Sequence, residues 1–178
     1  MNSLTSLFLE RRQYDRDFLD TINKPFTDLL KDVDTLSEYL RSIYVNGEQI
    51  VILTDFDTDG IMSGVIAYAG LAELGFHVGL YMPESDRGYG FDVYDIDRIL
   101  EKYPNVKAVI TADVGIAAFD AIDYAMAKGL KFFVTDHHKT MQVLPKADVV
   151  VNPHRADDPY ALKQICGAYV MYQCLEYY

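Results

Sequence analysis

From Ile50 onward, short hydrophobic runs alternate with longer segments in which apolar residues recur at helical spacing. The short runs are rich in β-branched residues and have the length of buried strands. Alternating strands and helices form repeated βαβ units, and such units build a mainly parallel sheet covered by helices. The alternation therefore predicts an α/β fold with a doubly wound, mainly parallel sheet and flanking helices.

The first 48 residues do not share this alternation. Apolar residues recur at helical spacing from Phe26 to Tyr44, and Asn46-Gly47 is typical of a helix end. We interpret residues 1–48 as an N-terminal helical extension and residues 49–178 as the main domain. A last helix is predicted to begin near Gln164. Because the chain stops inside that helix without a cap, we expect the domain to be incomplete at its C-terminus.

Composition and charge narrow the class of protein. No apolar stretch approaches the ~20 residues that span a bilayer, and the N-terminus lacks a signal-peptide hydrophobic region, so we expect a cytoplasmic protein without membrane contact. Two cysteines, Cys166 and Cys174, indicate neither a disulfide framework nor a cysteine zinc site. The net charge of −11 argues against a dedicated nucleic-acid-binding surface. It does not exclude a nucleic-acid substrate, because bound cations would offset part of that charge.

Acidic and histidine residues follow three of the predicted strands, in three separate parts of the chain. They are Asp55, Asp57 and Asp59, then Asp113, and then Asp136, His137 and His138. In an open parallel sheet, ligands bind just beyond the carboxyl ends of the strands. Carboxylates crowded at such an edge repel one another unless cations lie among them. The pattern therefore predicts a metal site.

The first acidic motif has two other interpretations. Asp55-x-Asp57-x-Asp59-Gly60 matches the first half of a calcium-binding EF-hand loop, but the twelfth position is Ile66, where a bidentate Glu is required. We therefore reject an EF-hand. A haloacid-dehalogenase-type phosphatase would use a strand-end Asp as a nucleophile. Its motif expects Thr or Val in place of Asp59 and gives no role to the later histidines, but it remains an alternative.

A two-ion site uses all of these residues. Carboxylate oxygens with an imidazole suit Mn²⁺ or a similar divalent ion, and two ions ~4 Å apart can bind a phosphoryl oxygen and activate a water. Asp113, on a separate strand, could bridge the ions, and one of the adjacent histidines could face the substrate phosphate. Tyr89 lies in a loop between two glycines and is our candidate for an aromatic substrate contact.

These motifs, in this order, resemble the first three signatures of the DHH phosphoesterase superfamily. The motifs are Asp-Phe-Asp-Thr-Asp-Gly at Asp55, Thr-Ala-Asp-Val-Gly-Ile at Thr111 and Val-Thr-Asp-His-His-Lys at Val134. The Asp-rich first motif resembles the RecJ branch of single-strand-specific exonucleases. Further RecJ-like segments are Arg87-Gly88-Tyr89-Gly90, Asn152-Pro153 and Cys166-Gly167-Ala168-Tyr169-Val170. The similarity runs from about Ile50 to the C-terminus.

The resemblance implies a role for each candidate residue. The implied metal ligands are Asp57, Asp59, Asp113 as the bridge, and His137, with Asp55 as a further ligand or a residue next to the ligands. His138 would contact the scissile phosphate, and Asp136 would orient its neighbours. The other implied phosphate contacts are Arg87, Asn152, His154 and Arg155. The implied cofactor is Mn²⁺, with two ions bound and Mg²⁺ as the other candidate.

The resemblance also implies an activity. It is the 5′-to-3′ hydrolysis of single-stranded DNA, or of another phosphodiester, by a water activated between two metal ions, with a place in DNA repair. The family's fourth motif and its second, substrate-gripping domain would lie beyond Tyr178. Two alternatives remain. DHH relatives also cleave cyclic dinucleotides, short oligonucleotides or pyrophosphate, and some keep the fold as a non-catalytic scaffold.

Overall fold

The computed structural model of the chain describes residues 29–141 and 143–178. The strands in this part of the chain are β1 (Gln49–Thr54), β2 (His77–Tyr81), β3 (Val106–Ala112), β4 (Lys131–Thr135) and β5 (Val149–Val151). The helices are α1 (Val33–Asn46), α2 (Thr58–Glu73), α3 (Val93–Lys102), α4 (Phe119–Ala127) and α5 (Gly167–Tyr177), with a 3₁₀ turn at Ser85–Arg87. Strands and helices alternate from β1 to β4, as the sequence pattern predicts.

The strands form one sheet in the order β2-β1-β3-β4-β5, and each neighbouring pair is parallel. From β1 the chain moves outward to β2, returns to β3 on the other side of β1, and continues outward to β4 and β5. The strand order therefore reverses between β1 and β3. Ligands of open α/β sheets bind beyond the carboxyl ends of the strands at such a point. The predicted parallel, doubly wound sheet is confirmed.

Both faces of the sheet are covered by helices. Successive strand residues point to opposite faces, so Ile50 and Ile52 of β1 pack with α1, α2 and α5, whereas Val51 and Leu53 pack with α3 and α4. All four side chains are fully buried. A core on each face holds the sheet rigid, and the carboxyl ends of its strands therefore form a fixed platform.

Helix α1 is part of the first of these cores. Its buried apolar residues, which pack against the sheet and α5, are Val33, Leu36, Leu40 and Ile43. The helix begins later than the apolar spacing predicts, because Asp32 has a left-handed backbone (φ +63°) that cannot continue a helix. It ends at Asn46 before Gly47, as predicted. The rest of the predicted extension, residues 1–28, lies outside the described residues.

Helix α5 begins at Gly167 rather than near Gln164. The preceding residue, Cys166, has an extended backbone and makes no side-chain cap on the helix. The apolar pattern could not predict this start, because the first amides of α5 are bound by a carboxylate from another helix. None of the helices in the described ranges combines the length and apolar character needed to cross a membrane.

Candidate metal centre

Three aspartates directly follow β1, β3 and β4 at one edge of the sheet. The backbone amides of Asp55, Asp113 and Asp136 each donate to the neighbouring strand, at distances of 3.1–3.3 Å. The hydrogen-bond ladder therefore continues past the ends of the strands. Because these hydrogen bonds hold the backbone of each aspartate, the sheet determines the positions of the three carboxylates. The sequence-predicted cluster is formed at the predicted edge.

Asp113 is buried, with 1% of its surface exposed. Its φ of +68° is a left-handed conformation that Asp adopts more readily than most residues. No described residue donates a well-formed hydrogen bond to either carboxylate oxygen. Burial raises the pKa of Asp113, contact with His137 opposes the rise, and repulsion from Asp59 adds to it. Both oxygens of this buried carboxylate are therefore free to bind a cation.

The ring of His137 is held in one orientation. Its Nδ1 lies 2.9 Å from the carbonyl oxygen of Ile165. Since a carbonyl only accepts, Nδ1 carries the proton of the neutral ring and Nε2 is left as a free acceptor. Nε2 lies 3.1 Å from Asp113 Oδ1 and 3.5 Å from Asp59 Oδ2. The contact with Asp113 raises the pKa of His137, against the effect of burial. This arrangement is typical of metal-ligating histidines.

Asp55 and Asp57 lie in the turn between β1 and α2. Phe56 N donates to Asp55 Oδ1 at 2.7 Å, whereas Asp55 Oδ2 is buried and receives no hydrogen bond from a described residue. Asp57 is exposed and caps α2, its Oδ1 accepting from Gly60 N at 2.9 Å. One carboxylate oxygen each from Asp55, Asp57 and Asp113 lie within 4.8 Å of one another. These three oxygens form the first group that could hold a divalent cation.

Asp59, the third aspartate of the motif, faces α5. Its Oδ2 accepts from Gly167 N at 2.7 Å, and its Oδ1 accepts from Ala168 N at 3.0 Å. Both oxygens thus receive amide donors, unlike those of Asp113. Asp59 still borders the cluster through the 3.5 Å approach of Oδ2 to His137 Nε2. Asp59 would therefore bind an ion only through lone pairs that the amides leave free.

Asp136 and His138 form a hydrogen-bonded pair beside the cluster. Asp136 Oδ1 accepts from His138 Nδ1 at 2.8 Å and from the backbone amides of His137 and His138, and Oδ2 accepts from Ile116 N at 2.9 Å. Burial favours a higher pKa for Asp136, but these hydrogen bonds together outweigh it and lower the pKa. The contact with Asp136 in turn raises the pKa of His138. Through these contacts Asp136 orients the ring of His138 and the backbone of both histidines.

A second possible metal group consists of Asp113, His137 and His138, whose ligand atoms also lie within 4.8 Å of one another. Asp113 is common to both groups. A carboxylate shared between two groups is the arrangement that the sequence predicts for a two-ion centre. The donors are carboxylate oxygens and imidazole nitrogens, which suit Mn²⁺ and, for the oxygen-only group, Mg²⁺. The residues therefore fit divalent cations.

Tyr89 lies at the rim of this site, and its role as an aromatic substrate contact remains a prediction. Its hydroxyl is 2.8 Å from His138 Nε2, and its ring packs edge-on against Phe56, with the ring centroids 6.3 Å apart. The side chain is 60% exposed. A cleft of about 240 Å³ adjoins it and is lined in part by His138 and Lys139. An exposed aromatic ring beside a cleft could stack on a base.

The two candidate arginines are held by carboxylates outside the cluster. Arg87 pairs with Asp92 at 2.7 Å and with Asp95 at 3.4 Å. Arg155 is buried and pairs with Asp32 and, through Nε at 3.0 Å, with Asp157. Their predicted role in phosphate binding remains a prediction, and the guanidinium groups would have to leave these partners to fulfil it.

Asn152 and His154 follow β5. Asn152 is buried, its side-chain amide donates to the carbonyl of His138 at 3.0 Å, and its Oδ1 accepts from His154 N at 2.7 Å. Burial and the nearby His137 lower the pKa of His154. Asn152 thus supports the backbone that carries His138. A direct phosphate contact by either residue remains a prediction.

The segment Ile165–Ala168 belongs to the site, although the sequence identifies its residues 166–168 only as part of a RecJ-like segment and assigns them no role. It contacts Asp59, Asp113 and His137, which come from different elements. Apart from that resemblance, the local signal is the glycine at position 167, and a single glycine at the start of a helix has many structural explanations. Its contacts depend on the packing of α5 against α2, which no short-range pattern reveals.

The sequence is similar to those of known proteins. The model of the DHH family, N-terminal domain, matches residues 49–178. The single-stranded-DNA-specific exonuclease RecJ of Haemophilus influenzae is 32% identical over 145 residues, which cover 80% of this chain and 25% of the relative. RecJ of Bacillus subtilis is 30% identical over 168 residues, covering 94% of this chain and 20% of the relative. The chain thus spans about a quarter or less of these relatives' length.

The fold is also similar to solved structures. A crystal structure of exonuclease RecJ bound to manganese superimposes with a TM-score of 0.73 at 27% identity, covering 82% of this chain and 37% of that chain. RecJ of Thermus thermophilus in complex with Mn²⁺ gives a TM-score of 0.71 at 26% identity, covering 94% of this chain and 23% of that chain. The resemblance identified from the motifs is confirmed, and the chain belongs to the DHH family of phosphoesterases.

Proposed function

We propose that this chain forms the metal-binding core of a phosphodiesterase that hydrolyses single-stranded nucleic acid with Mn²⁺. The 5′-to-3′ polarity is the one that the family resemblance implies. The observation that carries the proposal is a set of buried carboxylate oxygens without hydrogen-bond donors among the described residues, namely both oxygens of Asp113 and Oδ2 of Asp55. Burying such charged oxygens without a partner lowers the stability of the fold, and bound cations remove that cost.

The proposed metal ligands are those of the cluster. Asp55, Asp57, Asp59 and His137 would hold the ions, and Asp113 would be shared between them. When bound, two divalent ions supply an activated water at neutral pH and offset the charge of the phosphoryl oxygens. Mg²⁺ is the other candidate ion, because the group formed by Asp55, Asp57 and Asp113 offers only oxygen.

His138 is the proposed contact for the scissile phosphate. Asp136 holds its Nδ1 at 2.8 Å, which leaves Nε2 directed at the hydroxyl of Tyr89. Because the contact with Asp136 raises the pKa of His138, the protonated ring is favoured, and a protonated ring can donate from Nε2 to an anionic oxygen. A substrate phosphate would replace the Tyr89 hydroxyl as the partner of Nε2. Tyr89, once released, would be free to stack on a base.

Calorimetric titration with Mn²⁺, followed by hydrolysis assays, tests the proposal. We expect two ions per chain, and their loss in Asp113→Ala, which removes the carboxylate common to both groups of possible ligands. A labelled single strand should be degraded faster than the matched duplex. Mn²⁺ binding that persists in Asp113→Ala would reject the shared-ligand role of Asp113. Binding without hydrolysis of any phosphodiester would favour the non-catalytic scaffold.

A short substrate is the second candidate. The candidate cations Arg87 and Arg155 are engaged by carboxylates, and the chain carries a net charge of −11. A long polyanion gains affinity from several phosphate contacts, whereas a dinucleotide needs few. Turnover of a long single strand and of a dinucleotide, measured at equal phosphodiester concentration, separates the two candidates. Faster cleavage of the dinucleotide would favour the short substrate.

A further inference from the structure

The segment Ile165–Ala168 contacts three residues of the candidate metal centre. The carbonyl of Ile165 accepts from His137 Nδ1 at 2.9 Å. The amides of Gly167 and Ala168 donate to the two carboxylate oxygens of Asp59, at 2.7 and 3.0 Å. These partners come from the loop after β4 and from the first turn of α2. The segment therefore joins side chains that lie far apart in the sequence.

The carboxylate of Asp59 lies at the N-terminus of α5, and this position explains its contacts with the two amides. The first amides of a helix have no partner within the helix and carry partial positive charge. Cys166 supplies no side-chain cap for α5, so the carboxylate of Asp59 takes this place. Asp59 lies in the first turn of α2, and the position of its carboxylate therefore depends on the docking of α5.

Gly167 additionally lies against Asp113. A Cβ atom built at position 167 would lie 2.2 Å from Asp113 Oδ1 and 2.6 Å from Asp113 Cβ. Neither distance is possible for non-bonded atoms. Asp113 cannot easily yield, because its backbone amide is bound to β4 and its side chain is buried. Any side chain at position 167 would therefore displace Asp113, α5 or both.

We propose that Ile165–Ala168 is a positioning segment for the metal ligands. Ile165 sets the ring nitrogen that His137 presents, the two amides set the carboxylate of Asp59, and the absent side chain of Gly167 leaves the space that Asp113 occupies. This inference rests on the proposed metal centre and deepens it. The segment acts through the ligands that it positions, and Gly167 acts through both Asp59 and Asp113.

Substitution of Gly167 by Ala tests the inference through metal affinity rather than through activity. Mn²⁺ binding to Gly167→Ala is measured by calorimetry and by the electron paramagnetic resonance signal of free Mn²⁺. We expect at least about tenfold weaker binding, the size of effect that residues supporting metal ligands commonly have. Ala is a better helix former than Gly, so helix propensity cannot explain the loss.

Gly70→Ala is the matched control. Gly70 lies on α2, and a Cβ there would meet the end of the Leu175 side chain of α5 at 2.6 Å. The control thus adds a methyl group between the same two helices without touching a metal ligand. We expect Mn²⁺ affinity within about twofold of wild type, even where Tm falls. An equal loss of affinity in Gly70→Ala would overturn the inference, because general loosening of α5 would then explain the result.

A double-mutant cycle in the metal-free protein tests the contact itself. Asp113→Gly removes the three atoms nearest to the new methyl, and a φ of +68° suits glycine. We expect Gly167→Ala to lower Tm in the wild-type background and to change it little in the Asp113→Gly background. An equal loss of Tm, or of folding, in both backgrounds would overturn the inference.

The outcomes for the two proposals are distinct. Wild-type protein that binds no Mn²⁺ rejects the proposed metal centre and this inference with it. Wild-type protein that binds Mn²⁺, with Gly167→Ala binding equally well, rejects the positioning segment alone. Weakened binding in Gly167→Ala, retained binding in Gly70→Ala and a Tm loss that disappears in Asp113→Gly support it.

Discussion

His137 Nδ1 lies 2.9 Å from the carbonyl oxygen of Ile165, so the neutral ring presents an unprotonated Nε2 to Asp113. A ring without this contact could carry its proton on either nitrogen. The contact therefore selects the form of the ring that can bind a metal. In that form Nε2 faces Asp113 Oδ1 at a distance of 3.1 Å, where a cation could lie between the two atoms.

Asp113→Asn should abolish Mn²⁺ binding and stabilise the metal-free protein. Asn has the same shape and tolerates the left-handed backbone equally well, but it removes a buried charge that no described residue hydrogen-bonds. Relief of that cost by about 1 kcal/mol would raise Tm by roughly 2–4 °C. Thermal unfolding with EDTA and calorimetry with Mn²⁺ measure the two effects. A lower Tm in EDTA together with unchanged Mn²⁺ binding would contradict this account of Asp113.

Mn²⁺ should raise the thermal stability of the wild-type chain. A ligand that binds only the folded state stabilises it by about 2.7 kcal/mol at a concentration of 100 Kd, which corresponds to a rise in Tm of roughly 5–10 °C. EDTA should reverse the rise, and Asp113→Asn should not show it. The measurement is a series of melts over increasing Mn²⁺ concentration. A wild-type Tm that does not move at millimolar Mn²⁺ would count against the centre.

The two functions of Tyr89 can be separated by substitution. Tyr89→Phe removes the hydroxyl that lies 2.8 Å from His138 Nε2 and keeps the ring, whereas Tyr89→Ala removes both. If the ring stacks on a base, Tyr89→Ala should raise KM for a single strand by a factor of about 5–150, since base stacking contributes ~1–3 kcal/mol. Tyr89→Phe should keep KM near the wild-type value. Equal KM values for all three proteins would exclude stacking.

The alternation of strands and helices is sufficient to predict the sheet and its functional edge. β-branched runs that end in Asp55, Asp113 and Asp136 are local features, and parallel pairing brings their ends together. The same reasoning predicts that His137 and His138 join them. The local sequence pattern thus predicts the position of those site residues that directly follow a strand.

Contacts between distant segments could not be predicted in this way. Asp59 binds the amide of Gly167, which is 108 positions away, because α2 packs on α5. Arg155 follows β5, where a phosphate contact is plausible, but it turns to Asp32, 123 positions away. Such pairings depend on helix docking rather than on spacing in the sequence. The start of α5 differs from its predicted position for the same reason.

Arg155→Met separates a structural role of this arginine from phosphate binding. Met keeps much of the apolar stem but removes the ion pairs with Asp32 and Asp157. Because Asp32 is partly exposed and Asp157 is exposed, we expect a loss of only about 1–3 kcal/mol in the free energy of unfolding. Urea denaturation measures this loss, and the KM for a single strand serves as the second readout. A higher KM without a loss of stability would assign Arg155 to the substrate.

The pair of Arg155 and Asp157 should also make stability depend on pH. The hydrogen bond from Arg155 lowers the pKa of Asp157 in the folded state. A carboxylate with a lowered folded-state pKa stabilises the fold above its unfolded pKa of about 3.9, and the contribution is lost as pH falls through the lowered value.

At pH 7 the Tm of wild type should therefore be higher than the Tm of Asp157→Asn. The difference should correspond to less than about 1 kcal/mol, because Asp157 is exposed. The difference should shrink below about pH 4 as the carboxylate is protonated. Parallel melts of the two proteins from pH 7 to pH 3 measure it, and a difference that grows toward low pH would show that Arg155 does not stabilise the charged form of Asp157.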